Sequence, residues 1–322
     1  MEKSSRGIST PLVSFCIPCH NTERFVGETI ECLLKQSYRN IEIVVIDDHS
    51  TDNSFSVIDS YKKVYHDRIV LEKSLKKGAS AARNQAYNLS KGDFVVFFDS
   101  DDLVNPHYVS EQLSALKYST DSVVISKWGR FYDNDLNTYK EDLFIVKRNL
   151  SFHQWVLEHW TDVSHTTPPG RLLIPRKIIE VSGGWNEDLS LNDDFEFFTR
   201  IFCNSKNIIY NNDSTFYYRS GIGGLSSKKS DKAYFSYFQS IKISIEKTKE
   251  TLGEENALRR AYANIWKMFI YEVYPRLPEL TIIAENEIKQ LGGATIKFPA
   301  GRKTKALVAL LGWKVVKKIK TR

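Results

Sequence analysis

Three acids fall within four residues in Asp99-Ser100-Asp101-Asp102, directly behind the apolar run Phe94–Phe98. A buried carboxylate is costly unless something pairs with it, and acids so close raise one another's pKa unless a cation sits among them. Carboxylate oxygens suit hard divalent cations, and magnesium or manganese commonly binds substrate phosphates as well. The chemistry indicated is a metal–diphosphate site on a loop that leaves a strand. Two further polar clusters follow apolar runs: Pro18-Cys19-His20-Asn21 behind Leu12–Ile17, and Asp47-Asp48-His49-Ser50 behind Ile41–Ile46. Asp and Asn also open turns and cap helices, which accounts for any one cluster. Three such clusters point to the carboxyl edge of an open sheet, where ligands of these folds bind.

The elements that must position these loops alternate. Leu12–Ile17, Ile41–Ile46, Ile69–Leu71 and Phe94–Phe98 have the short, continuous apolar character of buried strands. Between them, Glu23–Gln36 places Val26, Ile30, Leu33 and Leu34 at helical spacing, and Ser54–Tyr65 and Ala79–Leu89 are helical as well. This alternation predicts an α/β fold with a mostly parallel sheet covered by helices on both faces. Pro106–Tyr118 is expected to be helical and Ser122–Ser126 a strand, whereas Trp128–Pro169 is irregular and aromatic. From Asp231 to Leu291 the pattern is that of three helices, broken near Gly253, Pro275 and Pro278, and Gly292–Gly301 has the composition of a linker.

The chain has 322 residues, 42% hydrophobic and 26% charged, which fits a globular protein of one large domain with an appendage, or of two domains. The polar start, Met1–Thr10, lacks the apolar stretch of a signal peptide, and no apolar run approaches the ~18–20 residues of a membrane span. Four scattered cysteines give no disulfide framework and fit a reducing cytoplasm. Cys16 and Cys19 form a CxxC within a strand pattern, with no second pair to complete a zinc site, so both are expected to pack. The net charge of +6 is concentrated at the end of the chain: Gly301–Arg322 holds eight basic residues and no acid. Val308, Leu311, Val315 and Ile319 would share one face of a helix there, with Lys314, Lys317 and Lys318 largely off it and Trp313 nearby. A basic helix of this kind suits peripheral contact with an anionic membrane surface rather than nucleic acid, against the alternative of a helix docked on the body.

Competing nucleotide-binding designs are disfavoured. No GxGxxG and no P-loop follows the first strand. A receiver-type domain would need an Asp after its third strand, where Glu72-Lys73 stand.

As a set, these stretches resemble glycosyltransferase family 2, the inverting, nucleotide-sugar-dependent enzymes of GT-A fold. The resemblance rests on Val13–Asn21, Ile46–Asp52, Gly78–Asn84, Gly92-Asp93-Phe94, Asp99-Ser100-Asp101-Asp102, Gly183-Gly184-Trp185-Asn186-Glu187, and Asn192-Asp193-Asp194 with Arg200 behind it. They span roughly residues 11 to 226 in the family's order and are specific only together. The resemblance implies that Pro18, His20 and Asn21 border the nucleobase, although the family commonly has an aromatic residue where His20 stands. It implies that Asp48 bonds the base edge, that Arg83 lies near the nucleotide, and that Asp99, Asp101 and Asp102 form the DxD-type element. In that element Asp101 would lie near ribose and metal, Asp102 would be the direct ligand of Mn2+ or Mg2+, and Asp99 would share the nucleotide or hold the loop. Asp194 matches the general base and Asp193 the family's adjacent acid. Trp185 and the loop around it would lie between donor and acceptor. Relatives carry a His in the segment matching Gly221–Ser227; here Arg219 or Lys228 would have to bring the positive charge to the diphosphate.

What this implies is transfer of a sugar from a nucleotide donor, a UDP-sugar, to a hydroxyl of a saccharide or lipid-linked saccharide, as in bacterial surface-polysaccharide synthesis. The protein would be cytoplasmic and peripheral on the inner face of the membrane. The expected organisation is a GT-A domain over 1–228, a helical region over 229–300 and a basic tail over 301–322. A sugar-phosphate nucleotidyltransferase would instead show a Gly-rich phosphate loop after the first strand. A non-catalytic saccharide-binding relative would be expected to have lost Asp102 or Asp194.

Overall fold

The computed structural model describes residues 10–143, 146–164, 167–222 and 230–320. In chain order the first elements are β1 (Val13–Cys19), α1 (Val26–Leu34), β2 (Ile41–Asp47), α2 (Ser54–Val64), β3 (Ile69–Lys73), α3 (Ala79–Leu89), β4 (Phe94–Phe97), β5 (Leu103–Val104) and α4 (Tyr108–Leu116). There follow β6 (Val123–Tyr132), β7 (Asp135–Glu141), α5 (Phe152–Trp155), β8 (Leu172–Pro175), α6 (Arg176–Ser182), α7 (Asp193–Cys203) and β9 (Ile208–Arg219). The chain closes with α8 (Asp231–Leu252), α9 (Asn256–Val273), α10 (Pro278–Gln290), α11 (Arg302–Leu311) and α12 (Trp313–Lys320).

These elements form two units. The first comprises Met1–Asn149, Pro168–Glu187 and Asn204–Ile222, and the second Leu150–Thr167, Asp188–Cys203 and Gly223–Arg322. This division differs from a single boundary near residue 228, because the chain leaves the first unit twice before that point. Aromatic burial accounts for both excursions. Trp155 of α5 packs on Phe202 of α7 at 4.7 Å, and Trp160, in the wider helical turn that continues α5, packs on Phe195 at 4.9 Å and on Tyr262 of α9 at 6.1 Å.

The nine strands among the described residues all belong to the first unit, in the order β3-β2-β1-β4-β8-β6-β9-β5 with β7 beside β6. The run β3-β2-β1-β4 is parallel, with Val13 opposite both Ile41 and Phe94. Beyond it the sheet is mixed: β8 is antiparallel to β4 and β6, whereas β6 and β9 are parallel. All seven residues of β1 are buried, as an inner strand covered on both faces requires. The α1 helix buries Val26, Thr29, Ile30, Leu33 and Leu34, each large aliphatic among them contributing about 1.5–3 kcal/mol. Phe98 is packed edge-on between Phe15 and Phe216, at 5.7 and 5.8 Å.

Gly92 and Asp93 secure the entry to β4. The Gly92 N–H donates to Ser14 Oγ at 2.8 Å, and the Asp93 carboxylate accepts the Leu12 N–H at 2.9 Å. A Cβ on Gly92 would lie 2.7 Å from the Ser14 backbone nitrogen, so only glycine permits this approach.

The stretch expected to be irregular from Trp128 onward instead continues β6 to Tyr132 and returns as β7. Asp133 and Asn134 both have φ near +55° between the paired residues Tyr132 and Asp135, the left-handed two-residue turn that closes a hairpin.

In the second unit, three helices occupy the predicted stretch, with Gly253 and the Pro275–Pro278 segment at the breaks. The tail is two helices, not one: Gly312, at φ +76°, separates α11 from α12. The second of them docks through Val316, which is 3% exposed, and through Trp313. The Trp313 ring stacks on Phe298 at 5.7 Å and meets Tyr271 and Tyr274 edge-on at 4.9 and 5.3 Å. Trp313 therefore sits in an aromatic cluster of the body, where a membrane anchor was one expectation. Of the expected apolar face, Leu311, Val315 and Ile319 remain exposed.

Candidate active site

The loops after β1, β2 and β4 meet at one edge of the first unit. His20 Nδ1 is 2.6 Å from the Asp48 carbonyl oxygen, and the Asp48 N–H donates to the Cys19 carbonyl at 2.7 Å. Asn21, in the left-handed region at φ +53°, donates its N–H to Ser50 Oγ and accepts the Thr51 N–H on its Oδ1. Thr22 Oγ1 lies 3.0 Å from Ser100 Oγ, joining the first loop to the acidic one. Pro18 is buried within β1, opposite Ile46.

The Asp48 carboxylate is buried and receives the Gly78 N–H on both oxygens at 3.0 Å. Gly78 has φ +128°, a conformation that favours glycine, and it immediately precedes α3. Two turns of α3 carry the next contacts. Arg83 pairs with Asp99 at 2.9 Å and lies 4.4 Å over the Trp185 ring. Asn84 donates to the Trp185 carbonyl and accepts the Trp185 N–H. Trp185 is 3% exposed and edge-on to Phe97 at 5.3 Å, so it is a core aromatic that supports Arg83, with no open face on which to stack a sugar.

Asp102 is 1% exposed. Its Oδ1 accepts the Arg219 N–H at 2.7 Å, while its Oδ2 has no partner among the described residues. Burial first, then the charges of Asp101 and Asp99, pushes its pKa well above the usual carboxylate range. Burial and the charge of Asp99 likewise push Asp101 up, to about 7. Hard oxygen donors, mutual repulsion and an orphaned buried oxygen are what a divalent cation would relieve, so the residues fit one. Among the described residues no three His, Cys, Asp or Glu side chains are grouped to hold an ion by themselves. The protein would then contribute one or two carboxylates, the usual arrangement where water and phosphate complete the shell of magnesium.

Arg219 differs from its expected role. Its side chain is wholly buried, between the rings of Phe25 and Phe131 at 4.9 and 4.6 Å, and it pairs with Glu28 of α1 at 2.8 Å. Its Nε donates to the Asp101 carbonyl. Arg219 thus clamps the acidic loop with its backbone and its guanidinium, and is not poised as a free cation for a diphosphate. The alternative carrier, Lys228, and residues 223–229 of the matching loop lie outside the described residues.

Thr29 completes the clamp, its hydroxyl lying 3.1 Å from the Ser100 carbonyl and 3.0 Å from that of Asp102. Sequence inspection passed over Thr29 and Glu28. The signal was present for Thr29: it interrupts the buried apolar stripe of α1 between Val26 and Ile30.

Asp193 and Asp194 belong to the second unit, half-buried in the first turn of α7, where the helix dipole favours acids. Asn192, at φ +64°, is held just ahead of them, its carbonyl accepting the Ser240 hydroxyl of α8. Arg200 pairs with Glu196 through two bonds of 2.6 and 2.8 Å. The Tyr237 hydroxyl of α8 is pushed up by burial and then by the charges of Glu272 and Asp194.

A parallel half-sheet with three interlocked polar loops at its carboxyl edge, one of them carrying crowded buried carboxylates, is the ligand-binding edge of an open α/β fold. The family model "Glycosyl transferase family 2" matches residues 14–181, more than half of the chain, and the protein belongs to that family. "Glycosyltransferase GlyG" of Streptococcus pneumoniae serotype 4 is 34% identical over 128 residues, 40% of this chain and 42% of that one. "UDP-Glc:alpha-D-GlcNAc-diphosphoundecaprenol beta-1,3-glucosyltransferase WfaP" of Escherichia coli is 34% identical over 125 residues, 38% of this chain and 48% of that one. The matched stretch thus spans less than half the length of either relative. Among solved structures, S. aureus TarS 1–349 in complex with UDP-GlcNAc superposes with a TM-score of 0.71 at 18% identity, covering 87% of this chain and 81% of that one. The α/β fold of GT-A type with a helical C-terminal region is therefore that of this protein.

Proposed function

We propose that this protein is an inverting glycosyltransferase that moves a sugar from a nucleotide donor, a UDP-sugar, to a hydroxyl of a saccharide or lipid-linked saccharide in surface-polysaccharide synthesis. The observation that carries the proposal is the buried Asp102 carboxylate, with one oxygen fixed by Arg219 and the other unpartnered, on the loop after β4. The UDP-glucose donor in the name of WfaP and the UDP-GlcNAc in the TarS complex support the donor class.

Asp48, beside Pro18, His20 and Asn21, borders the nucleobase. Its ionised carboxylate can only accept, which suits the ring N–H of uracil. Arg83 and Asp99 hold the nucleotide side of the acidic loop, with Trp185 beneath them. A divalent cation, Mn2+ or Mg2+, held by Asp102 and Asp101 would supply Lewis-acid neutralisation of the departing nucleotide. The acceptor oxygen attacks the anomeric carbon from the face opposite the diphosphate. The new glycosidic bond forms as the bond to the diphosphate oxygen breaks, through an oxocarbenium-like transition state. Asp194 takes the acceptor's hydroxyl proton, and Asp193 adds negative charge beside it. Contact with the inner face of a membrane is assigned to the tail, where Leu307, Leu310 and Val315 are exposed among lysines.

The test is release of UDP from UDP-glucose and UDP-GlcNAc, with and without manganese. Manganese-dependent release is expected, and Asp194→Asn should lower it by about 10²–10⁴-fold with UDP binding retained. Wild-type turnover in Asp194→Asn would remove the base from the scheme. Absence of release from any nucleotide sugar would remove the activity.

A further inference from the structure

A cavity of about 300 Å³ opens in the first unit, lined by Glu31, Lys35, Arg39, Tyr61, Tyr65 and Arg68 among others. It lies at the opposite edge of the sheet from the acidic loop. Arg39 stands two residues before β2, and Arg68 immediately before β3, whereas the polar loops described above follow the strands. The cavity is therefore at the amino edge, formed where α1 and α2 end.

Its charge is unbalanced. Among the described residues, Arg39 donates only to the Leu34 carbonyl, at 3.2 Å. Arg68 has its Nε and Nη2 buried without an acceptor among the described residues. No described carboxylate pairs with either guanidinium. The one acid in the lining, Glu31, is already bridged by Lys35 at 2.9 Å and by the Tyr61 hydroxyl at 2.8 Å. Burial and the neighbouring charge of Arg39 depress the Arg68 pKa, the strain expected of two like charges without a counter-ion.

Leaving the buried Nε and Nη2 of Arg68 unsatisfied is costly, Arg39 is solvent-exposed at the mouth of the cavity, and a planar fork suits an oxyanion by paired bonds. The tyrosines add aromatic surface, and the volume is at the small end of the range for ligand pockets. We infer that this cavity is a second ligand site, at the amino edge of the sheet, for a small phosphate monoester of sugar-phosphate size, with Arg39 and Arg68 holding the phosphate and the tyrosines flanking the organic body. The site is independent of the donor reading, being built from other residues at the other edge.

The test uses the full chain at fixed ionic strength, with UDP and manganese saturating, and calorimetric titration of glucose 1-phosphate, inorganic phosphate and glucose. Glucose 1-phosphate is expected to bind more tightly than inorganic phosphate, and glucose not at all. The double variant Arg39→Gln/Arg68→Gln should weaken glucose 1-phosphate binding at least tenfold while UDP affinity stays unchanged. Should the double variant fail to fold by circular dichroism, Arg39→Gln alone should weaken binding at least threefold. Equal affinity in variant and wild type, no binding of glucose 1-phosphate, or binding no tighter than inorganic phosphate would each overturn the assignment. Failure of UDP to bind would count against the donor proposal and leave this result interpretable.

Discussion

Arg219 has the composition of a phosphate ligand and the environment of a structural clamp. Its buried guanidinium serves Glu28 and the Asp101 carbonyl, and its N–H serves Asp102. Arg219→Ala keeps the N–H to Asp102 but removes the side-chain bonds to the Asp101 carbonyl and Glu28 and the packing between Phe25 and Phe131, and a loss of about 2–3 kcal/mol in urea unfolding is expected. Arg219→Lys should recover little of it, because an ammonium cannot reproduce the fork. A stability equal to wild type in both variants would exclude the clamp. Asp102→Asn keeps an oxygen for the Arg219 N–H and removes only the charge. We expect a fold within about 1 kcal/mol of wild type and UDP release reduced by about 10²-fold or more, separable by unfolding and turnover assays. Residue types at strand ends were legible because chemistry restricts them. What Arg219 and Trp185 do was not, since a buried and an exposed guanidinium or indole are spelled alike and differ only in long-range neighbours.

At the scale of elements, pattern located β1 to β4 and α1 because each strand holds a short apolar run and the helix places its apolar residues at helical spacing. It missed β9, whose centre reads Asn211-Asn212-Asp213-Ser214-Thr215. The structure shows why: pairing with β6 jumps from Asn211 opposite Ser126 to Thr215 opposite Lys127, so the polar residues occupy a bulge. The β6–β7 hairpin was missed although Asp133-Asn134 is a recognisable turn pair, because β7 is polar and largely exposed and carries too few apolar residues to alternate clearly. The boundary of β4 supplies a prediction. Gly92→Ala forces a Cβ against the β1 backbone and is expected to cost about 1–3 kcal/mol, read as a lowered thermal midpoint. An unchanged midpoint would mean that β1 and β4 can separate at their start without penalty.

For the molecule as a whole, sequence anticipated a sheet domain, a helical region and a basic tail, but not the exchange of α5 and α7 into the second unit. That exchange depends on Trp155 finding Phe202 and Trp160 finding Phe195, a matter of tertiary packing that local pattern does not carry. The tail divides its work between two helices. Trp313→Ala should loosen α12 and expose the 291–301 connection to protease, and wild-type resistance to limited proteolysis would contradict that packing. Leu310, 80% exposed, offers the separate test of membrane contact. Leu310→Glu is expected to reduce co-sedimentation with phosphatidylglycerol vesicles several-fold while donor turnover in solution is unchanged. Equal sedimentation would place the membrane contact elsewhere.

The ion pair between Glu28 and Arg219 joins residues 191 positions apart. The acidic loop, made early in synthesis, is therefore not finished until β9 has left the ribosome and threaded beside β6. Through the next 117 residues of synthesis the nascent chain carries an unclamped set of crowded carboxylates, and the last strand of the sheet acts as the latch on a loop made long before it. Ribosome-arrested chains exposing residues up to 207 should thus be cut by protease near Asp101, and those exposing residues past 219 should be spared.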